Sequence, residues 1–182
     1  LIKPKRRWIV TMQMLIGAGL AGIAFTIPTE YFFQLTLALF WLLAFSSATH
    51  DIAADGFYML ALDSHEQALF VGIRSTFYRI ATIAGQGLLI MLAGRLETVT
   101  GNIPYAWSIT FFVLAGIFLA VWLYHRFILP HPAADHPAKE VSASGLMKEF
   151  FTTFTTFFQK KHATVAIAFM LLYRLPEAQL AK

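Results

Sequence analysis

Two aspartates, Asp51 and Asp55, stand four residues apart in a stretch that is otherwise largely apolar. On a helix this spacing puts both carboxylates on one face, about 40° apart. Ser47 one turn earlier and Tyr58 one turn later extend the pair into a polar stripe. Such carboxylates can carry a proton, pair with an arginine, or hold Mg²⁺. Two arginines, Arg74 and Arg79, occupy the next apolar stretch, beyond a turn centred near Ser64 and His65. Asp55 and Arg74 each lie about ten residues from that turn, and Asp51 and Arg79 each about fourteen. At 1.5 Å per residue, antiparallel neighbours bring Asp55 level with Arg74 and Asp51 level with Arg79. An isolated intramembrane carboxylate costs at least about 2.5 kcal/mol, so these groups are expected to face protein or a water cavity and to be paired. A functional charge cluster and a purely structural network both meet that demand.

Two other places carry ionisable groups of interest. His50 adjoins Asp51 but sits about 100° round the helix, where it reads either as a proton relay or as a hydrogen-bonded structural histidine. Near the end of the sequence, Tyr173-Arg174-Leu175-Pro176-Glu177 sets Arg174, a helix-breaking proline and Glu177 together in an apolar run. That combination predicts a discontinuous helix lining a cavity; a fraying end is the competing explanation.

The elements that must position these residues are membrane helices. Of 182 residues, 58% are hydrophobic and 13% charged, and the mean hydropathy is +0.63. A soluble domain carries about 25% charged residues because its surface must face water. A span needs about 20 apolar residues. Residues 8–27, 31–62, 67–96 and 105–124 qualify, and a fifth span opens near His162. Gly17, Gly19 and Gly22 in the first, and Gly85, Gly87 and Gly94 in the third, are small residues that permit close helix crossing or bending.

The basic residues set the orientation. Lys3, Lys5, Arg6 and Arg7 precede the first span, and Arg126, Lys139, Lys148, Lys160 and Lys161 follow the fourth, while the other two loops hold one Arg between them. The positive-inside rule puts the first group, the turn near Ser64 and the long connection in the cytoplasm. Trp8, Tyr31, Tyr105, Trp107, Trp122 and Tyr124 fall near span ends, where amphipathic rings settle. Within the long connection, residues 129–145 are rich in Pro, Ala, His and Ser and read as flexible linker. Residues 146–161 differ: Leu146, Met147, Phe150, Phe151, Phe154, Phe157 and Phe158 share one helical face. That pattern predicts an amphipathic helix lying on the inner leaflet, or one packed on its own protein.

Several chemistries are excluded. The chain has no Cys, so disulfides, thiolate nucleophiles and Cys-based metal sites are absent. Its six His are scattered, without an H-E-x-x-H motif. No G-K-[ST] follows the glycines, so no phosphate loop is present. No cofactor and no nucleic-acid partner is implied. No signal peptide is visible, and the basic start and apolar end read as the middle of a longer chain.

The basic loop before Trp8-Ile9-Val10 with Gln13, then Ser46-Ser47-Ala48-Thr49-His50-Asp51-Ile52-Ala53-Ala54-Asp55-Gly56, then Tyr78-Arg79, then Tyr173-Arg174 occur in an order that resembles the major facilitator superfamily. The likeness is to its peptide/acetyl-coenzyme A/drug branch, which contains the muropeptide permeases. It implies an all-α, polytopic membrane helix bundle of which this chain covers about helices three to seven of twelve. Residues 1–127 would be helices three to six, 128–161 a cytoplasmic linker with an amphipathic helix, and 162–182 the start of helix seven. It also implies Asp51, Asp55 and Arg79 as counterparts of the family's intramembrane charges, with Arg74, His50, Tyr78, Arg174 and Glu177 as further candidates. His50 stands where the permeases usually carry Gln, and Gln67-Ala68 where an Arg-Gly commonly opens the fifth helix.

The function expected from this resemblance is secondary active transport of a small organic solute across a bacterial inner membrane. It would be proton-coupled, with muropeptide-like fragments as cargo, and the full-length chain would be a monomer in the lipid bilayer. The rival is a membrane-embedded, Mg²⁺-dependent prenyl or phospho-alcohol transferase using Asp51 and Asp55. Such a site generally needs a second acidic motif on another helix, and no other span offers one. A non-transporting sensor built on a transporter fold is a third possibility.

Overall fold

The computed structural model describes residues 4–133, 135 and 143–180; at 143, 144, 146, 147, 149, 150, 174 and 176–180 it describes the backbone alone. The described residues are all-α: α1 (Lys5–Thr26), α2 (Phe32–Ala61), α3 (Ser64–Ile83), α4 (Leu89–Thr100), α5 (Ile103–Ile128), α6 (Ala143–Phe158) and α7 (Ala163–Leu180). A π-helical segment, Ala84–Leu88, joins α3 to α4, so that the two run as one span of 37 residues. Four helices are long and apolar enough to cross a membrane: α1, α2, the α3–α4 span and α5. The chain is thus an all-α membrane helix bundle. Helices α1 to α5 belong to one compact unit, and α6 and α7 to another.

Local chemistry sets the boundaries. The carboxylate of Asp63 accepts from the N–H groups of His65 and Glu66, and Glu66 reaches back to the N–H of Asp63. This capping box starts α3 right after α2 and leaves only Leu62 and Asp63 as connection. Gly101, at φ +64°, closes α4 in the left-handed conformation that glycine takes most readily. Asn102 then caps α5, accepting from the Tyr105 N–H at 3.0 Å, with Pro104 in the first turn. His125 and Arg126 favour the other end through the helix dipole, which carries α5 past Tyr124 to Ile128. The N–H groups of Lys5 and Arg6 at the start of α1 donate to Asp135, at 2.8 and 3.0 Å. The stretch expected to be free linker therefore supplies a cap to α1.

Helix α1 is the centre of the first unit and packs against both α2 and α5. Its buried face holds Ile9, Gln13, Ile16, Leu20, Ile23 and Ala24. In lipid, helices associate through close packing, because burying apolar groups away from lipid gains little. The glycines of α1 supply that approach. A Cβ at Gly17 would stand 3.0 Å from Leu119 Cδ2 on α5, and one at Gly19 2.9 Å from Leu43 Cδ2 on α2. Gly22 meets Leu39 in the same way. The third span differs, because among the described residues nothing approaches within 4 Å of where a Cβ would sit at Gly85, Gly87 or Gly94. No described helix crosses closely there. Gly85 and Gly87 lie instead in the π-helical segment, a widened turn of the kind that bends helices. Helix α4 packs on α5, whereas α3 has no buried residue.

In the second unit, α6 exposes Phe151, Phe154, Phe157 and Phe158, with the Phe154 and Phe158 rings edge-on at 5.0 Å. The break expected at Pro176 is absent: α7 continues as helix to Leu180.

Candidate functional site

The polar stripe of α2 forms as its spacing requires, but its two carboxylates have different surroundings. Asp55 Oδ1 lies 2.6 Å from Arg74 Nη1, an ion pair between α2 and α3. Both side chains remain more than half exposed within this chain, at 53% and 59%. Two further contacts fasten the start of α3 to the end of α2. The Tyr58 hydroxyl donates to the Gln67 carbonyl, and the Gln67 amide donates to the Leu62 carbonyl at 2.9 Å.

Asp51 is 71% exposed and does not meet Arg79, contrary to the depth-matching expectation. Depth matching assumes that the helices stay in contact, but α3 does not pack along the body of α2. Past Arg74 the two diverge, which leaves Tyr78 and Arg79 on an exposed face. Among the described residues Arg79 makes no ion pair. Nor are Asp51 and Asp55 covered by protein within the described residues. Arg174 and Glu177 lie on the backbone of α7, in the other unit, and their side chains fall outside the described residues.

His50 turns away from Asp55 toward the centre of the bundle. Its Nδ1 is 3.5 Å from Asp51 Oδ1, while its Nε2 is buried without a hydrogen-bond partner among the described residues. It shares an apolar cavity of about 340 Å³ with Gln13 of α1 and His125 of α5. Gln13 is 5% exposed. Its amide lies against Nδ1 of His125, with Nε2 at 2.8 Å and Oε1 at 3.1 Å. This three-helix cluster was not foreseen, since nothing local in the sequence says that α1 and α5 are neighbours. One signal was available: Gln13 interrupts the apolar stripe Ile9, Ile16, Leu20 and Ile23.

For Mg²⁺ chemistry the arrangement is poor. Arg74 already occupies Asp55, and among the described residues no group of three or more His, Cys, Asp or Glu is placed to hold a metal.

A chain with paired charges on long apolar helices invites comparison with transport proteins. It is distantly similar to a permease. An anhydromuropeptide permease of Escherichia coli is 22% identical over 175 residues, covering 96% of this chain and 33% of the permease. An uncharacterised protein of Haemophilus influenzae is 30% identical over 173 residues, covering 92% of this chain and 36% of its own length. The chain thus spans about a third of the length of the curated relatives it matches. No family model matches the chain, and no solved structure matches it.

Proposed function

We propose that this chain is part of a proton-coupled secondary transporter of the major facilitator superfamily, in the muropeptide-permease branch, acting in a bacterial inner membrane. The observation that carries the reading is the Asp55–Arg74 ion pair between two membrane-spanning helices, in a chain similar along 96% of its length to an anhydromuropeptide permease. In this reading residues 1–127 are helices three to six, 128–161 the cytoplasmic connection and 162–182 the opening of helix seven. The exposed face carrying Asp51, Asp55, Tyr78 and Arg79 then turns toward the solute path and the other half of the protein. The basic start of α1 and the basic end of α5 are cytoplasmic, by the positive-inside rule.

Protonation supplies the coupling. Removal from water raises a carboxylate's proton affinity, and a neighbouring guanidinium lowers it. A change of one pKa unit corresponds to about 1.4 kcal/mol, within the range of gaining or losing an arginine partner. Movement of α3 relative to α2 changes the Arg74–Asp55 contact and, with it, the affinity for a proton. The solute in this reading is a cell-wall fragment of the anhydromuropeptide type. The test uses Asp51→Asn and Asp55→Asn, made singly in the full-length protein, with labelled anhydromuropeptide. At least one variant should lose concentrative uptake while remaining folded and inserted, and solute exchange should survive. Normal accumulation by both variants under a pH gradient would make these carboxylates structural.

A further inference from the structure

We propose that His50, Gln13 and His125 form a proton-binding site, separate from the Asp55–Arg74 pair, that takes up one proton between its two imidazoles. Three observations place an acceptor and a means of holding the proton in one cavity. First, His50 Nδ1 lies within ion-pair distance of the Asp51 carboxylate, at 3.5 Å. A hydrogen held there leaves Nε2 as a bare lone pair, and that atom is buried without a donor among the described residues. Unsatisfied buried polar atoms are uncommon in folded proteins, and each needs a reason. A proton landing on Nε2 gives this one a reason, since Asp51 then faces an imidazolium.

Second, the Gln13 amide serves His125 in either protonation state of the facing nitrogen. With Nδ1 unprotonated, the Gln13 Nε2 donates to it across 2.8 Å; with Nδ1 protonated, it donates to the Gln13 Oε1 across 3.1 Å. No side chain has to turn over for the proton to arrive or leave. A purely structural Gln–His contact needs only one of these arrangements. Third, both imidazoles lie in the wall of one apolar cavity of about 340 Å³, so a charge on either is felt by the other.

The surrounding charges favour a first proton over a second. From α1 the facing polar group is Gln13, which does not titrate; the alkyl chain of Lys5 runs beside Gly56 of α2, farther toward the helix start. From α2 the groups are His50, Asp51 and Tyr58, with Asp55 engaged by Arg74 of α3. From α5 they are His125 and, one position on, Arg126, which lies over the Trp122 ring at 5.7 Å. One carboxylate, Asp51, thus faces the His50 imidazole, from outside the cavity lining. Two imidazolium ions sharing so small an apolar space repel each other, so the second proton binds more weakly than the first.

The use of this site in coupling rests on the transporter reading; the binding of the proton does not. The test is therefore a titration without solute. The full-length protein, ¹⁵N-labelled at histidine and reconstituted in lipid nanodiscs, is followed by NMR, with His50 and His125 assigned from H50Q and H125Q. Both substitutions keep a polar side chain in the cavity, and folding is checked by the unchanged shifts of the other histidines. Wild type should show two coupled steps. In at least one of the single variants the remaining imidazole should titrate at a midpoint different from either wild-type one, because its neighbour is gone. Gln13→Leu, which removes both partners of His125 Nδ1, should shift the His125 step. Two neutral imidazoles throughout the range from about pH 5 to pH 8, or midpoints indifferent to the loss of the partner, would overturn the proposal. A transporter whose uptake survives H50Q and H125Q, with the coupled titration present, would leave the proton site standing and its coupling role refuted.

Discussion

Removing one member of the Asp55–Arg74 pair leaves the other charge unpaired on a membrane-spanning helix, and the structure bounds the cost. Asp55 lies six residues before the end of α2 at Ala61, and Arg74 ten residues after the start of α3 at Ser64. At 1.5 Å per residue these are about 9 and 15 Å from the helix ends. An unpaired charge at the centre of a membrane helix costs about 2.5–3.5 kcal/mol on insertion scales. The shallower position and the half-exposed side chains reduce this to about 1–2 kcal/mol, a factor of roughly 5–30 in the folded-to-unfolded ratio. Asp55→Asn and Arg74→Gln should each destabilise by that amount. The double variant should cost less than the sum, by about 1 kcal/mol, because it leaves no stranded charge. Exchanging the charges, Asp55→Arg with Arg74→Asp, should recover part of the loss. Reversible unfolding of the full-length protein in mixed micelles, with rising sodium dodecyl sulfate, measures all four corners of the cycle. A coupling energy within about 0.4 kcal/mol of zero would refute the claim that this contact holds α3 to α2.

The glycines of α1 and of the third span should respond oppositely. Gly17→Val drives side-chain carbon into Leu119, whose Cδ2 already stands 3.0 Å from a Cβ position, and should cost about 1–3 kcal/mol. Gly94→Ala enters open space and should stabilise by up to about 1 kcal/mol through helix propensity; thermal unfolding compares the two. Topology is testable because the chain has no native Cys. Single cysteines at Lys160 and Glu30 in the full-length protein should be labelled by an impermeant maleimide from opposite sides of the membrane, Lys160 from the cytoplasm. Labelling of position 30 from the cytoplasmic side would overturn the orientation.

Much of this architecture was legible before any coordinates. Long apolar runs make spans because each has to hydrogen-bond its own backbone in lipid, and α1, α2 and the start of α7 begin and end within a few residues of the expected limits. The Asp55–Arg74 pair followed from depth alone, since a two-residue connection keeps the neighbouring ends of α2 and α3 in register. The Asp51–Arg79 pairing failed because register says nothing about divergence, which depends on what each helix packs against. Glycine in a helix likewise signals permission to approach, not the presence of a neighbour: among the described residues Gly17 and Gly19 meet one, and Gly94 does not. The Gln13–His125 contact bridges residues 112 apart in sequence, and only the packing of α5 on α1 brings them together. Pro176 was read as a break, yet α7 absorbs it. A proline removes one helical hydrogen bond without obliging the chain to stop.

Accumulation against a gradient is the most direct measurement of whether these helices serve proton-coupled transport. The full-length protein is reconstituted into sealed liposomes, a pH gradient is imposed, and labelled anhydromuropeptide is followed with and without a protonophore. The expected result is accumulation above the external concentration that collapses when the protonophore is added and fails in Asp51→Asn or Asp55→Asn. Equal internal and external concentrations, indifferent to the pH gradient in protein whose folding has been verified, would contradict it.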